Sequence, residues 1–188
     1  MANREGERKM KIVGLSGSNM GTNTRTVMDY LDYAITETYA DVEFQLIDLS
    51  DYKVEFSDGR HYMTYEGDTD FVIRSLMDAD AIIIGTPIIQ ASIPAALKNI
   101  FDLLPSDAFE DKVVSLFVTA GSARHYLVAE QHLKPILTYM KAKIVQSYVF
   151  IEKEAFHNQE IIDPDVSYRM NRLVNETMQE IEKNKRVE

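Results

Sequence analysis

SGSNMGTNTR, residues 16–25, joins a short apolar run to an amphipathic pattern through small residues that carry hydrogen-bonding groups. Ahead of it, Lys11–Leu15 (KIVGL) is β-prone. Behind it, Val27, Tyr30, Leu31, Ala34, Ile35 and Thr38 recur at helical spacing. The stretch therefore enters a helix N-terminus, where unpaired backbone N–H groups and the positive end of the helix dipole favour an anion. Ser18, Thr22 and Thr24 can add hydroxyl donors, and a phosphate group suits such a place. An ordinary N-capped helix after a strand uses the same residue types without any ligand. The loop by itself leaves both readings open.

Along the rest of the chain, five β-rich runs alternate with five helical patterns, which is the mark of a parallel sheet covered by helices on both faces. The predicted strands are Lys11–Leu15, Glu43–Leu49, Ala81–Thr86, Val113–Thr119 and Ile144–Ile151. Several are apolar nearly throughout, as strands buried on both faces should be. The predicted helices are Asn23–Tyr39, Thr69–Asp78, Ile93–Leu104, Ala123–Met140 and Ser167–Lys183. Ser92 is the expected cap of the third, with Pro94 in its first turn and Pro105 beyond its end. Pro135 lies inside the fourth, where its ring opposes the carbonyl of Gln131, so a kink or break is expected.

The chain has 188 residues, a length suited to one hydrophobic core, and 45% of them are hydrophobic. Residues 1–9 read as a flexible tail and residues 10–188 as a single domain. The net charge of −10 gives no basic field for nucleic acid or an anionic membrane. No cysteine is present, which excludes disulfides, thiol catalysis and iron–sulfur clusters, so redox chemistry would need a bound cofactor. The four histidines lack metal-ligand spacing. No apolar run is long enough to span a bilayer and no signal pattern opens the chain, so a cytoplasmic location is expected. The polar, tyrosine-bearing stretch 51–68 is long for a strand-to-helix connection and reads as a lid, binding loop or interface.

Ligands of open α/β sheets bind at the carboxyl ends of the strands. The loops leaving strands one, three and four are SGSNMGTNTR (16–25), GTPIIQASIPAALKN (85–99) and TAGSARH (119–125), all rich in small and hydrogen-bonding residues. Together with HLKPIL (132–137), their order and spacing resemble NAD(P)H-dependent FMN reductases of the flavodoxin-like superfamily, from Lys11 to about Ile181. The resemblance implies a three-layer α/β sandwich whose five-stranded parallel sheet has the order 2-1-3-4-5. It implies FMN as cofactor, NADPH or NADH as hydride donor, a small-molecule electron acceptor, and a homodimer or homotetramer, with stretch 51–68 at the subunit interface.

On the same resemblance, Ser16, Ser18, Thr22, Asn23 and Thr24 hold the FMN phosphate. Pro87, Ile88, Ile89 and Gln90 border the isoalloxazine ring, partly through backbone N–H groups. Thr119, Gly121 and Ser122 lie on its dimethylbenzene or pyrimidine side. Backbone donors near the ring can position it for hydride arrival and favour its reduced form, so no catalytic side chain is named. Two positions depart from the family pattern. Asn19 and Met20 stand where many relatives have Pro-Arg, leaving Arg25 as the nearest cation, and Ile89 stands where an aromatic residue is common. The competing classes are a flavodoxin-type electron carrier, which the acidic charge would suit, and a non-catalytic nucleotide-binding module on the same fold. A dinucleotide-binding Rossmann domain is disfavoured, because no G-x-G-x-x-G follows the first strand.

Overall fold

The computed structural model describes residues 8–185. Residues 1–7 of the expected tail lie outside that range, while Arg8 is held by Asp80 at 3.0 Å. The strands are β1 (Met10–Ser16), β2 (Val42–Asp48), β3 (Ala81–Pro87), β4 (Val113–Ala120), β5 (Lys143–Ile144) and β6 (Val149–Glu152). A small hairpin of β7 (Phe156–His157) and β8 (Glu160–Ile161) follows. The helices are α1 (Asn23–Thr38), α2 (Gly67–Met77), α3 (Ala95–Leu103), α4 (Lys134–Tyr139) and α5 (Pro164–Lys185). All pairings in the main sheet are parallel, in the expected order β2-β1-β3-β4-β5, with β6 continuing the fifth line beside β4.

The two-residue side-chain period of each strand sorts the core into two layers. Val13, Leu15, Ile82, Ile84, Val114 and Leu116 face α2, α3 and α4. Ile12, Ile83, Val113 and Phe117 face α1 and α5. Both faces of β4 are buried, which explains its unbroken VVSLFVTA sequence. The cost of that burial shows at Ser115, whose hydroxyl has no hydrogen-bond partner among the described residues. A buried unsatisfied hydroxyl costs about 1–3 kcal/mol. Ser115→Ala is therefore expected to raise stability by about 1 kcal/mol, read as a higher urea midpoint with an unchanged slope.

Three sequence expectations need correction. The fifth strand is not continuous over Ile144–Ile151: Ile144 faces Val114 and Val149 faces Phe117, so residues 145–148 bow out of the ladder. Val145 keeps one ladder bond, its N–H donating to Val114 O at 2.9 Å, and its side chain stays in the core, while Ser147 meets Glu176 and Tyr148 the Tyr126 carbonyl. The segment Ala123–Met140 is not one helix. A 3-10 turn at Ala123–His125 leads to a π turn at Ala129–Leu133, and regular helix begins only at Lys134. The π turn lies just ahead of Pro135, where a wider turn relieves the clash between its ring and the preceding turn. Finally, Ser92 does not cap α3. Pro94 occupies the cap position, and the Ser92 hydroxyl instead lies 2.9 Å from His132 Nδ1.

Candidate functional site

The loop between β1 and α1 is shaped by its own backbone. Gly17 N donates to Gly85 O at 2.7 Å, pinning the loop's start to β3. A Cβ on Gly17 would come within 2.8 Å of Leu97 and 3.1 Å of that same carbonyl, so the close approach requires glycine. The Ser18 hydroxyl accepts from Met20 N at 3.0 Å and donates to Met20 O at 2.6 Å, closing the curve. Gly21, at φ +80, then turns the chain into the helix in a region that suits glycine.

The helical ladder of α1 starts with Thr26 N on Thr22 O at 2.8 Å. The N–H groups of Asn23, Thr24 and Arg25 are thus left without an intrahelical partner. Thr22 sits at the cap without a side-chain cap bond, and the first turn holds no acidic residue. Thr24 is buried, with its hydroxyl 2.9 Å from that of Thr119. That contact fastens the start of α1 over the end of β4.

Facing this helix start is a cleft of about 340 Å³, lined by Met20–Thr24, by Pro87 and Ile88, by Thr119–Gly121, and by Lys153. The fold therefore brings the three loops singled out by sequence to one opening. The expected residues divide within it. Thr22, Asn23, Thr24, Pro87, Ile88, Thr119 and Gly121 line the cleft. Ser16 and Ser18 are buried and are not among its lining residues. Ser122 accepts from Arg124 N at 3.3 Å and caps the following 3-10 turn. Ile89 turns instead into an adjoining cavity of about 410 Å³, shared with Met20, Tyr52 and Phe56. Stretch 51–68 forms part of that wall, tied to α3 through Ser57 N on Asn99 Oδ1 at 2.9 Å.

The turn at Ile89–Ser92 is tight and strained. Ile89 and Ser92 exchange both backbone hydrogen bonds at 3.0 Å, with Gln90 at φ 51 and Ala91 at φ 59 between them. Turns with two left-handed central residues favour Asn-Gly, and each non-glycine residue there costs about 1–2 kcal/mol. Ile88 N is also occupied, by Thr119 O at 3.1 Å. Among the backbone donors of this segment, the N–H groups of Gln90 and Ala91 are the ones without a backbone partner.

The electrostatics show where Arg25 turns and add one residue. The Arg25 guanidinium turns to Asp29 at 2.9 Å, Asp51 at 3.0 Å and Asp48 at 3.5 Å. The hydrogen bond to Asp29 raises its pKa above the ordinary arginine value, with Asp51 and Asp48 adding to the effect. Arg25→Ala is expected to change FMN affinity by no more than about fivefold and stability by about 1 kcal/mol or less, as for a largely exposed ion pair. A fluorescence titration and a denaturation curve check both. Lys153, which sequence reasoning missed, is the one charged residue lining the cleft among the described residues. Its signal was its place just past the carboxyl end of the fifth strand. No group of three or more potential metal ligands comes together among the described residues.

Residues 10–156 match the family model described as NADPH-dependent FMN reductase. A relative from Geobacillus thermodenitrificans, named as an NAD(P)H-dependent FAD/FMN reductase, is 39% identical over 87% of this chain and 89% of its own. An oxidoreductase from Corynebacterium diphtheriae superposes with a TM-score of 0.75 at 26% identity, covering 93% of this chain and 98% of that one. Flavodoxin 1 from Bacillus cereus shares the fold, with a TM-score of 0.63 at 22% identity over 90% and 97% of the two chains.

Proposed function

The chain belongs to the NADPH-dependent FMN reductase family, and from that membership we propose that it is an FMN-dependent NAD(P)H oxidoreductase. FMN, when bound, supplies a ring that takes hydride from NADPH or NADH and returns electrons to a second acceptor. The observation that carries this reading is the convergence of three strand-end loops on a helix start free of acidic residues.

The residues present fit that cofactor. The free N–H groups of Asn23, Thr24 and Arg25, the Thr22 hydroxyl and the Asn23 amide form the proposed phosphate cradle. Ser16 and Ser18 hold its shape from beneath. Pro87, Ile88, Ile89 and Gln90 are proposed to border the isoalloxazine ring, with Gln90 and Ala91 offering the unpaired backbone donors. Thr119, Gly121 and Ser122 are proposed to lie on its dimethylbenzene or pyrimidine side. Among the described residues no carboxylate or histidine lines the cleft, so these side chains bind and orient rather than exchange protons.

The electron acceptor is proposed to be a small molecule such as free flavin, a quinone, an azo dye or a metal oxyanion. A homodimer or homotetramer is supported by Phe56, 77% exposed, and Met20, 61% exposed, both beside the second cavity. No helix among the described residues is long and apolar enough to cross a membrane, and a cytoplasmic location is part of the proposal. A flavodoxin-type carrier draws support from the charge of −10, yet among the described residues no aromatic lines the cleft to flank the ring. Steady-state oxidation of NADPH and NADH with added FMN tests the proposal. Turnover well above that of free FMN is expected; a rate equal to the free-flavin background would refute it.

A further inference from the structure

We propose that Lys153 is the counter-charge of the FMN phosphate in this chain, acting from the fifth strand in place of a cation within the phosphate loop. The inference rests on the FMN reading above and names a residue for it.

The loop supplies no free positive charge of its own. Asn19 and Met20 are neutral, and Arg25 is bound to three carboxylates. Lys153, by contrast, is open for a partner. Its amine is 3.8 Å from Glu154, with both side chains about two-thirds exposed. Elsewhere Lys98, Lys134, Lys141, Lys143 and Lys183 each lie within 2.9 Å of a carboxylate.

The fold puts Lys153 beside the helix start for an identifiable reason. In the register of β4 and β6, Thr119 faces Ile151 and Ala120 faces Glu152. Lys153 is the next residue, leaving the sheet at the carboxyl end of the fifth line. The Thr24–Thr119 contact fixes the first turn of α1 over the same end of β4. The free N–H groups of α1 and the Lys153 amine therefore flank one strand end, and both border the one cleft. The break at residues 145–148 sets where the fifth line ends, and so helps to place Lys153 here.

A lysine acting as a point charge on a phosphate at a solvent-accessible site should contribute roughly tenfold in affinity, more at low salt. The test is a titration of flavin-free protein with FMN and, separately, with riboflavin, followed by flavin fluorescence at two salt concentrations. Lys153→Gln is expected to weaken FMN about tenfold, leave riboflavin unchanged and flatten the salt dependence, whereas Lys153→Arg retains most of the affinity. Lys153 is exposed and outside the core, so the melting temperature should not move. Wild-type FMN binding with an indifferent Lys153→Gln variant overturns the inference alone. Equal weakening of FMN and riboflavin also overturns it, because the lysine would then serve the ring or ribityl chain. Uptake of neither flavin by the wild type removes the FMN reading and the inference together.

Discussion

Replacing Thr22 with glutamate is expected to lower FMN affinity roughly a thousandfold while the protein stays folded. Two like unit charges about 4 Å apart near a protein surface repel by about 4 kcal/mol at an effective dielectric constant of 20, which is about three decades in affinity. Thr22 occupies the cap of α1, lines the cleft and makes no side-chain cap bond. The new carboxylate thus meets no clash, and its charge at a helix N-terminus favours the helix by about 0.3–1 kcal/mol. Binding and folding should therefore move in opposite directions. Thr22→Gln, similar in size and uncharged, should lose far less affinity. A Thr22→Glu protein that still binds FMN like the wild type would place the phosphate elsewhere.

Gly85→Ala is expected to damage both the fold and the site. A Cβ at Gly85 would lie 2.1 Å from Phe117 Cζ and 2.6 and 2.7 Å from two further ring carbons. Phe117 is fully buried between the sheet and the α1 and α5 layer, so its ring has no room to retreat. Overpacking of this kind costs about 1–3 kcal/mol, a fall in melting temperature of roughly 3–10 °C for a chain of this size. The carbonyl of Gly85 also anchors Gly17 N at 2.7 Å, so a shift of β3 loosens the start of the phosphate loop and weakens FMN binding too. Phe117→Leu in the Gly85→Ala background should recover stability more than additively, because the two sites share one space. Simple additivity in that double-mutant cycle would argue against the clash as the cause.

The strand and helix alternation was legible because parallel strands buried on both faces leave nearly continuous apolar runs, and β1, β3 and β4 carry such runs. The strand order followed from the family resemblance, and the sheet has it. The three mouth loops were legible for a topological reason: carboxyl ends of parallel strands all open on one side.

What escaped the sequence was set by side-chain partners distant in the chain. Asp29 at i+4 is a local partner for Arg25, but nothing local says that Asp48 and Asp51 join it, or that Ser92 meets His132 rather than capping α3. The break of the fifth strand depends on Glu176 and Tyr126, far from the run itself. Pro135 announced an irregular helix, but the π turn that accommodates it depends on packing. Lys153 could have been found by applying the strand-end rule to the fifth strand, whose expected end at Ile151 is one residue short of the observed Glu152.

The most direct measurement is an absorption spectrum of the flavin-free protein after one equivalent of FMN, and then after NADPH or NADH in the absence of oxygen. FMN is expected to stay with the protein through gel filtration, and its visible band to bleach on nucleotide addition faster than that of free FMN. FMN that elutes apart from the protein, or a protein-bound band that neither nucleotide bleaches, would contradict it.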